Sequence, residues 1–495
     1  MTPESFVNAL PKGLWNSALA AASALRGAQR ILIASHIDAD GICAAAIAST
    51  SVLRLGKQPT SEFFKKLDSD AIESLRARGA DVVWFTDLGS GSCSRIEGMR
   101  AVITDHHAVD PSSRVNKRND GQATLSDFSA PIHINPQLFG ISGATELSGA
   151  GSTFLAAVAL DWKNVDLAHL AVLGAIGDLQ DQKSRRLEGL NRVIAEAAQS
   201  AGKVEVLEDL RYFGRETRPI HKMLEFSGDP FLPRISGNEE GALSFLLELG
   251  IELKEGGSWR TWSELTDSEK RTLISALKEH LASLRRKQET IDRLVGEVYV
   301  FTEEAKGLPM RDAKEYSTLL NACGRHGKAN VGLAICLGDR QDALTQGMAL
   351  LKDHRSAISK ALSWAKGSGI IRMRNIQFFD AGDEIEDTIV GTVAGMLLGS
   401  EGSDRSAPMV AFAESTEFSD LPKAKASARG TQELVQKGMD LSYAMRTAAE
   451  KVGGVGGGHN IAAGATIPAE RRDEFLDILD GLVGSQISGQ GRKRV

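Results

Sequence analysis

Ser35-His36-Ile37-Asp38-Ala39-Asp40-Gly41 sets one imidazole and two carboxylates on alternate residues, directly after the apolar run Arg30 to Ala34. Alternate side chains at an extended strand end point to one side, so His36, Asp38 and Asp40 can converge on a cation. Such a ligand set suits Mn²⁺ or Mg²⁺, and the imidazole favours Mn²⁺. Three more clusters have the same character: Asp87 after the run Asp81 to Phe85, Asp105-His106-His107 after Arg100 to Ile103, and Asp178 in GAIGDLQD. A carboxylate at Asp87 has an oxygen for each of two ions. Any one of these residues alone would be an ordinary helix cap or a satisfied histidine. Four clusters at the ends of elements are not explained that way together. Two cations roughly 3.5–4 Å apart can hold a phosphoryl oxygen, lower the pKa of a water and stabilise the leaving oxygen. The chemistry implied is in-line phosphodiester hydrolysis.

The elements that must position these residues follow from the apolar pattern. Runs Arg30 to Ala34, Asp81 to Phe85 and Arg100 to Ile103 predict buried strands, and the helical stretches between them predict a parallel sheet covered by helices. In such a sheet, ligands bind at the carboxyl ends of the strands, so the polar clusters should meet there. From Gly202 to Asp292 the chain predicts a mainly helical insertion, with a helix starting near Thr266 and Leu273, Leu277, Leu281, Leu284 and Ile291 on one stripe. Mixed α/β character returns afterwards. Strands are expected near Ile370 to Phe379, Met409 to Ala413 and Ala424 to Ala428, and helices near Ile389 to Leu398, Leu441 to Lys451 and Glu470 to Leu482. The expected domains are 1–200, 201–295 and 296–495. No repeat at a solenoid period is visible.

The totals bound the rest. A chain of 495 residues, 42% hydrophobic and 25% charged, has globular composition and length for about two to four domains. Its net charge of −6 argues against a protein that coats polyanions, so any nucleic-acid contact must be a local groove, helped by bound cations. Cys43, Cys93, Cys323 and Cys336 form no CxxC pair and predict reduced, buried side chains. The start, MTPESFVNALPKGLW, has no signal-peptide pattern and no window nears 18 apolar residues, so a cytoplasmic protein with no membrane contact is expected. Taken alone, KASARG would be a solvated edge strand, GGVGGGH a flexible loop and the basic tail GRKRV a disordered end.

SHIDADG, the TDLGSG aspartate, TDHH and GDLQD, in this order, resemble the four motifs of the DHH phosphoesterase superfamily. KASARG and GGVGGGHNIAAG resemble its DHH-associated C-terminal domain. HINP (His133 to Pro136), LSGAG (Leu147 to Gly151) and LLNACGRHGKANVG (Leu319 to Gly332) resemble the archaeal RecJ-like nucleases, some known as GINS-associated nucleases. The resemblance implies an α/β fold: a parallel-sheet catalytic domain, a helical insertion, and a smaller mixed α/β substrate-binding domain with the active site in the cleft between. It implies one metal on His36, Asp38 and Asp87 and a second on Asp40, Asp87, His106 and Asp178. His107 would face the scissile phosphate and Asp105 would orient a ligand from behind. Lys425, Ser427 and Arg429 would reach the nucleic-acid phosphates, and Gly457, Gly458 and His459 would close over the substrate. Asn321 and Arg325 are further candidates for the terminal nucleotide.

The implied activity is two-metal exonuclease cleavage of single-stranded DNA or RNA in replication or repair, with Mn²⁺ or Mg²⁺ as cofactor. Bacterial RecJ proteins carry a further nucleic-acid-binding OB-fold; the short stretch after His459 is expected to hold no counterpart, so processivity is expected to depend on a partner. The insertion is expected to dock on a GINS complex, and through it on the replicative helicase. Two other functions use the same motifs: an oligoribonucleotide or cyclic-dinucleotide phosphodiesterase, and a non-catalytic replisome scaffold like the eukaryotic helicase cofactor related to RecJ.

Overall fold

Five short runs form one parallel sheet in a computed structural model that describes residues 1–110, 131–400, 403–415 and 421–489. They are β1 (Ile31–His36), β2 (Thr60–Phe64), β3 (Val82–Thr86), β4 (Ala101–Thr104) and β5 (Ile132–Ile134), in the order β2-β1-β3-β4-β5. The three strands expected from the apolar runs are the central three. Their register pairs Ser35 with Thr86 and Thr86 with Thr104, so β1, β3 and β4 end level. The acids and histidines that follow therefore emerge along one edge. The GRKRV tail lies outside the described residues.

Helix α1 (Ala39–Arg54) continues from β1 and is buried along nearly its whole length. Behind it lie α2 (Gly149–Leu160), buried throughout, α3 (Ala168–Gly177) and α4 (Gly189–Ser200). The small residues of α1, α2 and α3 let these helices pack on all sides, which explains why they have no polar face. Their shared core also takes in Met310, Tyr316, Leu319, Leu320 and Leu351, from the chain that follows the insertion.

The insertion leaves and returns through a two-stranded stem: β6 (Val204–Leu210) pairs antiparallel with β7 (Val295–Phe301). It holds its own apolar core, including Leu273, Leu277 and Leu281 of α5 (Asp267–Ser283). Thr266 caps this helix in a capping box with Glu269. The expected stripe breaks at Leu284, the residue that caps α5, and Ile291 reaches the same core from the separate short helix Gln288–Asp292. After the stem, α6 (Ala313–Arg325) and α7 (Ala329–Cys336) return to the first core, and α8 (Asp342–Ser368) follows.

Buried ion pairs fix the stem. Arg215 meets Asp209 at 2.5 Å and Asp312, the N-cap of α6, at 3.0 Å. Asp209 also accepts from Trp262 Nε1 at 2.9 Å, and Arg211 meets Asp181 at 2.5 Å. Removing one partner of such a buried pair costs about 3–5 kcal/mol, because a charge is left uncompensated.

The chain divides into two compact units, Met1–Leu351 and Lys352–Val495. The boundary thus falls inside α8 and not at 295/296 as expected, because α6 and α7 bury their apolar faces in the first unit. The second unit is a six-stranded mixed sheet: β8 (Ile371–Arg372), β9 (Gln377–Asp380), β10 (Met409–Glu414), β11 (Lys423–Arg429), β12 (Val455–Gly458) and β13 (Ala462–Pro468). Their order is β8-β9-β10-β11-β13-β12. Helix α9 (Val390–Gly399) shares a core with one face, and α10 (Leu441–Lys451) and α11 (Arg472–Ile487) share a core with the other. Two expectations taken from the motifs alone are corrected. KASARG lies on an interior strand, because Ala424, Ala426 and Ala428 pack into a core. GGVGGG contributes the edge strand β12, because without side chains it fits close against β13 and α10. Among the described residues no helix is long and apolar enough to cross a membrane.

Candidate metal centre

At the end of β1 the chain turns into α1 through Asp38, whose Oδ1 accepts the Gly41 N–H at 3.0 Å as an N-cap. Its Oδ2 lies 3.0 Å from His36 Nδ1. Asp40, in the first turn of α1, is buried. Its two oxygens accept the backbone N–H groups of Gly149 at 2.7 Å and Ala150 at 3.0 Å, the first turn of α2. Free N–H groups and the positive helix end both favour an anion there. The approach is close enough to require glycine: a Cβ at Gly149 would sit 2.3 Å from Asp87 Oδ1, and one at Gly174 would sit 2.2 Å from Asp40 Oδ1.

Asp87 follows β3 in a left-handed conformation, φ 57°, which only strong surroundings impose on a non-glycine residue. Its carboxylate is buried and, among the described residues, neither oxygen has a hydrogen-bond donor. Oδ2 lies 3.6 Å from His36 Nδ1 and Oδ1 lies 3.3 Å from His106 Nε2. One oxygen thus faces each histidine. Asp178 caps the C-terminus of α3, with Oδ2 3.8 Å from His106 Nδ1.

Two triplets result, His36–Asp38–Asp87 and Asp40–His106–Asp178, each offering ligand atoms within 4.8 Å of one another. Asp87 stands between them, and its orphaned oxygens are what a pair of divalent cations would satisfy. The donor set of carboxylates and imidazoles suits such ions. All six residues named as metal ligands from the sequence are brought together.

Asp105 plays a different part. Its Oδ1 accepts from the N–H groups of His106 and His107 and from His107 Nδ1 at 2.8 Å, while Oδ2 accepts from Ser90 N–H. This fixes the His107 ring, which is half exposed. Burial opposes charge on His107, but Asp105 beside it prevails and pushes the imidazole up to about 8. Burial likewise opposes charge on His36 and His106, yet Asp38 and Asp87 around the first, and Asp178, Asp87 and Asp40 around the second, hold both well above the ordinary imidazole range. Burial, with the charge of Asp87, pushes Asp40 up, and burial raises Asp178 as well. For Asp38 and Asp105 burial opposes the charge, but the neighbouring histidines win and hold both low.

The remaining candidates are placed as follows. Asn321 Oδ1 accepts the Ala39 N–H at 3.0 Å, so it anchors the start of α1. Gly324, one turn on, lies so close to the Ile37 carbonyl that a Cβ would come within 1.8 Å. Arg325 follows on α6, its pKa lowered by burial against the opposing charge of Asp38. In the second unit, Lys425, Ser427 and Arg429 alternate with the buried alanines on β11. Arg429 and Ser427 face the start of α9, where a Cβ at Gly391 would lie 2.5 Å from Arg429 Nη2. Gly457 and Gly458 end β12, and the His459 N–H donates to the Ala462 carbonyl at 2.8 Å. Sequence reasoning missed Gly149, Gly174, Gln180 and Asn191; the only signal was a serine cap before small residues in LSGAG.

The DHH-CID domain family matches residues 212–295, and the DHHA1 domain family matches residues 374–485. The chain carries segments that match these two DHH-associated domain families, and its fold is RecJ-like. The insertion is thus the DHH-CID domain and most of the second unit the DHHA1 domain. An uncharacterized protein of Methanocaldococcus jannaschii, MJ0831, is 28% identical over 463 residues, which covers 92% of this chain and 94% of that one. RecJ from Thermus thermophilus, in complex with Mn²⁺, superposes with a TM-score of 0.56 at 17% identity over 96% of this chain. This chain spans only 55% of the length of that RecJ. CDC45 from Entamoeba histolytica superposes with a TM-score of 0.59 at 11% identity, covering 92% of this chain and 96% of that one.

Gly174→Ala should push Asp40 aside and weaken Mn²⁺ binding about tenfold or more, the usual result of disturbing what holds a ligand. Titration followed by the EPR signal of free Mn²⁺ measures this. Gly367→Ala, where a Cβ would meet open space, serves as control. Wild-type affinity in Gly174→Ala would contradict the placement of Asp40.

Proposed function

We propose that this chain is a metal-dependent exonuclease that hydrolyses phosphodiester bonds of single-stranded DNA or RNA, in the cytoplasm, during replication or repair. The observation that carries this is Asp87, with one orphaned oxygen facing each of two carboxylate–imidazole triplets. Two divalent cations, Mn²⁺ or Mg²⁺, would offset the charge of a phosphodiester and make a water acidic enough to supply a nucleophile near neutral pH.

The residues then divide the work. His36, Asp38 and Asp87 hold one cation, and Asp40, His106 and Asp178, with Asp87 shared, hold the other. Asp105 accepts from Nδ1–H of His107, so the protonated ring turns Nε2–H outward, where it can donate to a phosphate oxygen. Lys425, Ser427 and Arg429 share one side of β11 and would take successive phosphates, as positively charged and hydroxyl groups do in positioning a strand. Gly457, Gly458 and His459 would also contact the substrate. Asn321, already bonded to Ala39, would act by fixing the β1–α1 turn, while Arg325 remains a candidate for the terminal nucleotide.

A non-catalytic role is the second reading, favoured by the fold shared with CDC45. The complete ligand set argues for catalysis. Under either, the insertion is a docking module for a GINS complex, and through it the replicative helicase. The stem that carries it is braced by Arg215 and Arg211, so it is presented as a firm body.

End-labelled single strands of DNA and RNA, incubated with Mn²⁺, should be shortened by wild-type protein. Asp38→Ala and His106→Ala should lower the rate by more than the about 10–100-fold that loss of a group behind a ligand causes. Equal rates in all three proteins would contradict the two-cation site. Cleavage of dinucleotides alone would point to an oligoribonucleotide or cyclic-dinucleotide phosphodiesterase, and no cleavage of any substrate to a scaffold. Gel filtration with a GINS complex at micromolar concentration should give co-elution, lost on deleting 211–294; separate elution of the intact protein would overturn the docking role.

A further inference from the structure

His106 and Asp178 are held by one polar chain in the first unit, and every group in it has a fixed direction. Its origin is the backbone N–H of Ser148, which can only donate, and which reaches Asn191 Oδ1 at 3.3 Å. With Oδ1 so engaged, Asn191 turns its amide nitrogen to Gln180 Oε1, at 2.6 Å. Gln180 must then present its own nitrogen on the other side. There it donates to Asp178 Oδ2 at 2.8 Å and to the Gly143 carbonyl at 2.9 Å. The same carbonyl lies 2.6 Å from His106 Nδ1 and, being an acceptor only, requires the proton on that nitrogen.

The consequence is chemical. A proton on Nδ1 leaves the Nε2 lone pair of His106 facing Asp87 and Asp40, the position from which an imidazole binds a cation. Asp178 has Oδ2 held by Gln180. Both Gln180 and Asn191 are buried, so water cannot stand in for either amide. Gly143 is packed so closely that a Cβ would lie 2.1 Å from the His106 carbonyl, which keeps its own carbonyl in place. Asn191 sits on α4, and its N–H is bonded to the Glu146 carbonyl at 2.8 Å.

We propose that Gln180 and Asn191 are positioning residues that hold the Gly143 carbonyl, which fixes the tautomer of His106, and orient Asp178, and so select the second cation site. This rests on the two-cation assignment of the centre, but not on the identity of the substrate. Among the described residues, His36 and Asp38 of the first triplet have no bond to this chain, and Asp87 meets it only at His106 Nε2, 3.3 Å away. The two sites should therefore respond differently.

Gln180→Glu places an acceptor where Asp178 and the Gly143 carbonyl need a donor. Asn191→Asp removes the donor to Gln180 and turns the Gln180 amide around. Mn²⁺ binding to the full chain, read by EPR for number and affinity of sites, should show two ions on wild type. In each variant one ion should remain with unchanged affinity while the other weakens by about 10–100-fold. Asn164→Asp is the structural control: Asn164 is buried and donates to the Ala157 carbonyl, away from the centre. It should lower the melting temperature and leave both ions in place. Two ions bound with wild-type affinity in Gln180→Glu, or in Asn191→Asp should only that variant fold, would overturn the proposal. So would parallel weakening of both sites that tracks the melting temperature. Wild-type protein that binds no Mn²⁺ would instead overturn the centre itself.

Discussion

Burying a carboxylate without a donor costs several kcal/mol in a low-dielectric interior unless an opposite charge stands beside it. Asp87 is such a group, and its backbone adopts a left-handed conformation to hold it between two histidines. Around it lie Asp40, Asp38 and Asp178, all negative when ionised, so the cluster repels itself unless protons or cations occupy it. The raised pKa values of His36, His106, Asp40 and Asp178 are the proton-filled form of that demand. Divalent cations meet it better, because each replaces protons with two charges and several coordination bonds.

The rest of the first unit serves this constraint. Level strand ends deliver His36, Asp87 and Asp105 to one edge. The start of α2 supplies the N–H groups that hold Asp40, and glycines at 149 and 174 make room for it. Helix α6 presses Gly324 and Asn321 onto the β1–α1 turn. The insertion is tied through Arg211 to Asp181, one residue beyond Gln180.

Much of the centre was legible because metal ligands are rare residue types at telling places. Histidine and aspartate directly after apolar runs mark strand ends, and level ends follow from the parallel sheet that those runs predict. What was not legible depends on contact and not on pattern. Gly149 and Gly174 look like any small residues in apolar helices until the carboxylates beside them are seen. Gln180 and Asn191 are far apart in type and role from a ligand, and only their buried, directed bonds reveal them. The boundary at 295/296 was misplaced because the end of the insertion coincides with a change of pattern, while α6 and α7 still bury themselves in the first core. Likewise, a glycine run carries no strand propensity, and the pairing of β12 with β13 is a tertiary effect.

In the proposed centre two cations would share Asp87. Anomalous diffraction at the manganese edge, from crystals of the full chain grown with Mn²⁺, tests it most directly. Two peaks should appear, one among His36, Asp38 and Asp87 and one among Asp40, Asp87, His106 and Asp178, separated by roughly 3.5–4 Å as in two-metal sites. No peak beside Asp87, or a single peak that leaves one of its oxygens without a partner, would contradict the account.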